Sequence, residues 1–408
     1  MSKFKSKIFG DVNNPTQPKV IDSPKSSRKL PFKPVTASQA ITSPPKEHGT
    51  YVSDQIYAIS LVEARPKYIH LELSNHDGSI NGKIWATATE QPDLIERLSQ
   101  SPVIIINGRY DEYPKDSGNI SIVIASFSCT DDIVDAGSLV QSITNQEYLD
   151  DLSSELMFYI EQMTQEHQTF AIELLSCVWP QFTKAPAAVG HHHNYVNGLF
   201  EHTIEVMRTF YHLATKASKD EIFEEIMKIK DIQTKTFIED FTIKQETATS
   251  RYVMSFINDD SAHYEWFISN LIKMTAKESM NINLSLGLLS TLFHDVAKII
   301  EYGYPNDDKA AMYDLFLSMD IPTSKSYSIN VDPVGATYGH LVLGSNLIAK
   351  HQSETEYPLP YTDILDIQHI ILSHHGKLEW GAVTTPRTVT ALLVHIADYI
   401  DAKFATEK

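Results

Sequence analysis

Cysteine is nearly absent: Cys129 and Cys177 are the only two in 408 residues. Two thiols give no disulfide framework, which fits a reducing cytoplasm. Both lie among apolar neighbours and are expected to be buried. Long apolar runs are missing too. No stretch approaches the roughly 18 uninterrupted apolar residues that suggest a membrane-spanning helix, so no membrane association is expected. The opening residues, MSKFKSKIFGDVNN, are basic but lack the apolar stretch of a secretory signal. Positive charge is in deficit, with 34 Lys/Arg against 52 Asp/Glu and a net charge of −18. The deficit is uneven. Residues 1–50 hold nine Lys/Arg and three acids, a balance of +6, so the remainder carries −24. A bulk negative field opposes broad, non-specific wrapping of nucleic acid. It leaves room for a narrow site where metal ions offset phosphate charge.

What is present divides by composition. Residues 1–50 contain seven prolines and many Ser, Thr and Lys without a sustained apolar period. They read as a disordered basic arm. Residues 51–130 carry five runs with β-branched and aromatic residues in near period-two alternation, punctuated by His76-Asp77-Gly78 and Pro114–Gly118. The segment EQPDLIERLSQ, between the third and fourth runs, has a helical period. Five strands with that helix describe an OB-fold barrel. Alternation points Ile69, Leu71 and Leu73 inward with Ile80, Ile84 and Ala86. It leaves Tyr68, His70, Lys83 and Trp85 together on the outer face. Exposed aromatics beside a cation suit stacking of single-strand bases; packing of Trp85 against another domain is the competing reading. From about residue 145 to 408, apolar residues recur at three- and four-residue intervals, which predicts an all-α domain. The fold class is therefore α+β and multidomain.

Histidine carries the chemical signal. The segment LSTLFHDVAKII places His294 and Asp295 within an apolar helical pattern, with Lys298 one turn on. A carboxylate buried in such a setting costs several kcal/mol unless paired or bound to a metal. His and Asp together supply the usual N and O ligands. His202 in GLFEHTIEV, His340 in GHLVLGSNL, His374 and His375 in IILSHHG, and Asp398 in LLVHIADYI lie in similar apolar settings. One such histidine means little. The recurrence, with two acids in apolar stripes, favours a metal site over a bundle of buried His–Asp pairs.

The ordered set His202, His294-Asp295, His340, His374, Asp398 resembles the signature of the HD superfamily of metal phosphohydrolases. HHNYVNGLFEHT, FHDVAKIIEY, GHLVLGSN and IILSHHGKLEWGA followed by LLVHIADYIDAKF resemble the YhaM-type 3′–5′ exoribonucleases, over roughly residues 51–215 and 284–405. That resemblance implies an OB-fold joined to an HD domain with two divalent ions, Mn2+ above all. His202, His294, Asp295 and Asp398 would hold one ion. Asp295 would bridge to a second, completed by His340 and His374 with His375 close by. Lys298 would contact the scissile phosphate, and His192 and His193 would touch substrate. The chain departs from the family pattern in the arm and in residues 216–283, a helical insertion. That insertion could restrict access, recognise a partner or mediate assembly as a homo-oligomer.

Three functions follow as expectations. The first is a 3′–5′ exonuclease on single-stranded RNA, and single-stranded DNA as well, releasing mononucleotides. The second is an HD-type phosphodiesterase of cyclic nucleotides or mononucleotides. The third is a non-catalytic single-strand-binding protein, disfavoured because every expected ligand is intact.

Overall fold

The computed structural model describes residues 21, 23–35, 40–87, 89–115, 117–130, 135–189, 193–234, 244–245, 252–253, 259–276, 280–323 and 325–404. A five-stranded closed barrel comes first. Its strands are β1 (Tyr51–Arg65), β2 (Tyr68–Asn75), β3 (Gly78–Trp85), β4 (Val103–Glu112) and β5 (Ile120–Thr130). They run in the order β1-β2-β3-β5-β4, and β4 closes back on β1. Helix α1 (Gln91–Ser99) connects β3 to β4, and β3 pairs with β5 in parallel, the connectivity of an OB-fold. Ile69, Leu71, Leu73, Ile80, Ile84 and Ala86 are all buried in the barrel core, as alternation requires. Each large aliphatic side chain so buried contributes about 1.5–3 kcal/mol.

The second body is helical. It contains α2 (Gln146–Glu161), α3 (Gln165–Phe182), α4 (Gly198–Ala214), α5 (Lys219–Thr234), α6 (Asp259–Thr275) and α7 (Leu284–Phe293). The short α8 (Lys298–Glu301) and then α9 (Lys309–Leu317), α10 (Pro333–Tyr338), α11 (His340–Glu354), α12 (Tyr361–Ser373) and α13 (Val389–Phe404) complete it. The side chains of Asn145, Thr164 and Asn283 cap α2, α3 and α7 by accepting from backbone N–H groups. Helices α4, α7 and α13 meet at the centre, and glycine sets their spacing. A Cβ on Gly287 of α7 would sit 2.1 Å from the Phe210 ring of α4. The close approach outweighs the roughly 1 kcal/mol that a helical glycine costs.

Three expectations need correction. The stretch read as a disordered arm is packed where it is described. Ile21 and Leu30 enter the helical core, and the Phe32 ring lies 5.1 Å from that of Trp179. Trp179 Nε1 donates to the Lys33 carbonyl at 2.7 Å, while Ile41 N donates to the Ser138 carbonyl. Widely spaced apolar residues give no helical or strand period, yet each can anchor an extended strap. Residues 1–20 of the arm lie outside the described residues. Cys177 is exposed and Cys129 only half-buried, because α3 buries Leu174, Leu175 and Val178 and turns Cys177 outward. Finally, His294 and Asp295 are not mid-helix: α7 ends at Phe293, and residues 294–297 form a tight turn into α8. Lys298 N donates to the Asp295 carbonyl at 2.9 Å, closing that turn.

Candidate metal centre

The turn after α7 aims His294 and Asp295 into the middle of the bundle. His202 arrives from the first turns of α4 and Asp398 from α13. Ligand atoms of these four residues all lie within 4.8 Å of one another. His202 Nε2 is 3.0 Å from Asp295 Oδ2 and 3.4 Å from Asp398 Oδ1. His294 Nε2 is 3.5 Å from Asp295 Oδ2 and 3.7 Å from Asp398 Oδ1. His340, first residue of α11, joins His374 and His375, which follow α12, in a second set of the same compactness. Asp295 belongs to both. Its Oδ2 faces His202 and His294, while its Oδ1 lies 3.3 Å from His340 Nε2 and 3.4 Å from His374 Nε2.

Four of the imidazoles are oriented from behind, while Nδ1 of His375 is buried without a hydrogen-bond partner. Nδ1 of His294 donates to the Thr291 carbonyl and Nδ1 of His374 to the Ile371 carbonyl, both at 2.7 Å. His202 Nδ1 donates to Asp401, and His340 Nδ1 to Glu301 at 2.5 Å. A proton fixed on Nδ1 leaves the Nε2 lone pair pointing inward, the arrangement of metal-ligating histidine. Three of the inward atoms, His294 Nε2, Asp295 Oδ1 and His374 Nε2, are buried without a hydrogen-bond partner. Orphaned buried acceptors are costly and need an explanation. A cation between them supplies one, so the donor set fits divalent metal.

The electrostatics of the acids, of His374 and His375 and of Lys298 agree; His202 differs, since burial would lower it but Asp295, Asp398 and Asp401 raise it well above its ordinary value. Burial alone would raise the Asp295 and Asp398 carboxyls, but surrounding groups hold both well below the usual carboxylate range. Lys298 and His294 act on Asp295; His202 and His294 act on Asp398. Burial lowers His374 and His375 and keeps their lone pairs free. Lys298 Nζ sits 2.5 Å from Asp295 Oδ2. Burial would strip its proton, but Asp295, Tyr302 and Asp398 push its pKa upward, so it stays a cation.

The remaining candidates are placed differently. His193 is buried behind His202: its Nε2 donates to Asp401 at 3.1 Å and its ring lies beside the Tyr195 hydroxyl. Its expected contact with substrate does not fit that position. His192 lies outside the described residues. On the barrel, Tyr68 pairs across strands with Trp85, and His70 with Lys83. The Tyr68 and Trp85 rings are 5.6 Å apart, and Trp85 is 60% exposed, so among the described residues it is not packed against another domain. His70 is tied to Asn81 at 3.0 Å.

Sequence reading missed Asp401, Glu301 and Glu201. Asp401 follows Asp398 by three residues on one face of α13, a spacing that was available as a signal. Glu301 closes α8, and nothing in its local sequence distinguishes it from a surface acid. Glu201 accepts from Tyr148 and Tyr195, extending the buried polar chain from Asp401 and His193 to α2.

Comparison with known proteins agrees in part. Residues 267–403 match the HD domain family. That span includes His294, Asp295, His340, His374, His375 and Asp398; His202 lies before it. A segment of 104 residues is 38% identical to the 3′-5′ exoribonuclease YhaM of Shouchella clausii, covering 24% of this chain and 32% of that protein. The match thus spans about a third of that relative. Two aspartyl-tRNA synthetase structures align weakly. The Entamoeba histolytica protein is 9% identical, with a TM-score of 0.18, over 67% of this chain and 64% of its own. The Leishmania major protein, described as putative, is 11% identical, with a TM-score of 0.16, over 83% and 73%. Scores that low carry no argument. Residues 267–403 thus match the HD domain family, and a 104-residue segment is similar in sequence to a YhaM 3′-5′ exoribonuclease.

Proposed function

We propose that the chain is a metal-dependent exonuclease that removes nucleoside monophosphates from the 3′ end of single-stranded RNA, and of single-stranded DNA as well. The observation that supports this best is Asp295, whose two carboxylate oxygens face two separate ligand sets. A carboxylate so divided suits a pair of ions. His202, His294, Asp295 and Asp398 would hold one; Asp295, His340, His374 and His375 would hold the other, with Mn2+ in both. When bound, two such ions polarise a phosphodiester and lower the pKa of water beside it.

The protein's own groups do the rest. Lys298, kept charged next to Asp295, offers a cation to a phosphate oxygen. Glu301 and Asp401 hold His340 and His202 in the tautomer that keeps Nε2 free. Tyr68 and Trp85 offer ring faces on which unpaired bases stack, with Lys83 alongside for the backbone. Capture by stacking and a few local cations suits an acidic protein acting on a single strand in the cytoplasm.

The test is digestion of 5′-labelled single-stranded RNA with Mn2+, beside single-stranded DNA and a cyclic dinucleotide. The expected result is a ladder shortening from the 3′ end with release of mononucleotides. Asp295→Ala should abolish it while retaining the helical circular-dichroism signal. Cleavage of the cyclic dinucleotide alone, or an undiminished variant, would overturn the reading.

A further inference from the structure

We propose that His263, on α6 of the segment inserted between His202 and His294, is a positioning residue for the His340–His374–His375 half of the centre. The inference rests on the two-ion reading above.

The His263 ring is sandwiched between two others. Its centroid lies 3.9 Å from the Trp380 ring at 11° and 3.5 Å from the Tyr399 ring at 14°. Its Nε2 lies 2.9 Å from His395 Nε2, and His395 Nδ1 lies 2.6 Å from the His374 carbonyl. Donor logic orders this chain. A carbonyl only accepts, so His395 carries its proton on Nδ1. In the neutral ring Nε2 is then bare, and His263 Nε2 must donate to it. Two protons thus run in one direction from the insertion to the backbone of a ligand.

The receiving turn is tight. Gly376 has φ +85°, and a Cβ there would lie 2.5 Å from the His395 ring. Gly376 N donates to the Ser373 carbonyl at 2.8 Å. His395 therefore lies flush against the turn that presents His374 and His375. A cation continues the same cluster. Lys377 Nζ sits 4.2 Å above the Trp380 ring and 5.6 Å from that of Trp266, another α6 residue. Helix α6 thus meets the turn through His263 and His395 and through Trp266, whose ring lies 5.4 Å from those of Trp380 and His395. An insertion that only decorated the surface would have no reason to place a hydrogen-bonded imidazole there.

Three variants of the full chain separate the contributions. His263→Ala removes ring and donor, His263→Phe keeps the stack, and His263→Gln restores an N–H. The readouts are Mn2+ binding by calorimetry, circular dichroism, and kcat and KM on single-stranded RNA. For His263→Ala, one of the two binding steps should weaken about tenfold, the lower end of what outer partners of metal ligands contribute. The other step should be unchanged, and kcat should fall more than KM rises. His263→Gln should recover much of the loss. His263→Phe should behave like His263→Ala in metal binding, and it carries the comparison should the alanine variant unfold. Folded His263→Ala and His263→Phe with two wild-type binding steps would overturn the proposal. A wild-type protein that takes up no Mn2+ would instead bring down the two-ion reading, and this inference with it.

Discussion

Asp401 shows how much a single buried side chain can decide. Its Oδ2 accepts from both His202 and His193, while its Oδ1 is buried without a partner. His193, His202 and Asp401 also form a compact group that could hold a metal. We read it instead as a brace, because an ion there would need the His202 nitrogen that already donates to Asp401. Asp401→Asn separates charge from shape. The amide oxygen can accept from both imidazoles, and the NH2 falls where the unpartnered oxygen was. Without the negative charge His202 is a weaker ligand. The expected result is Mn2+ affinity about tenfold lower at the His202 step, with the melting temperature little changed. Calorimetry beside thermal unfolding checks it; equal affinity would leave Asp401 a packing residue.

At the scale of elements, α5 is fastened to α4 by polar contacts as well as apolar ones. Glu225 on α5 pairs with His212 of α4 at 2.8 Å and with Lys228 at 2.8 Å. Partial burial would raise its carboxyl, but hydrogen bonds from Lys228 and His212 pull it down from 4.5 to about 2. A depressed acid stabilises the fold at pH above its unfolded value, and the contribution fades as pH falls through the folded one. Lys228 is well exposed, so solvent screening keeps the contribution to about 1 kcal/mol or less. Glu225→Gln should therefore cost that amount at pH 7 and much less near pH 2. Urea denaturation at the two pH values measures the difference, and a gap that widened toward acid would contradict it. By contrast, Arg208 of α4 is wholly buried between Glu155 of α2, at 2.6 and 2.7 Å, and Glu205. Breaking such a buried pair costs about 3–5 kcal/mol, because it strands a charge. That contact, not the α5 pair, ties α2 to the centre of the bundle.

Taken whole, the molecule joins a barrel bearing an exposed Trp85 beside a half-buried Tyr68 to a helical body with buried charge. The described parts of the strap, residues 21, 23–35 and 40–50, touch both. Ile41 is bonded to Ser138 and His76, and Tyr110 of the barrel donates to the Pro44 carbonyl. If the barrel captures strands for the HD site, Trp85→Ala should weaken single-stranded RNA binding by about 1–3 kcal/mol, the value of one stacked base. Turnover of a minimal dinucleotide should barely move. Fluorescence anisotropy and dinucleotide kinetics test the two halves, and equal losses on both substrates would argue against capture.

Local pattern determined much of this protein by itself. Strand alternation set the inward and outward faces of β2 and β3, and helical periods marked the imidazoles and acids as buried. Those are properties of neighbours in the chain, governed by a pleat of two and a turn of 3.6 residues. Tertiary structure alone decided the rest. The strap's anchors are apolar residues without a period, so nothing local marks them as packed. His193 looked like a substrate contact until the fold placed it behind His202. The Asp401–His202 bond spans 199 residues and the His263–His395 bond 132. The division of Asp295 between two ligand sets depends on where α4, α11, α12 and α13 stop against one another. A side chain's partner across such distances is fixed by packing of the whole core, which no window of sequence contains.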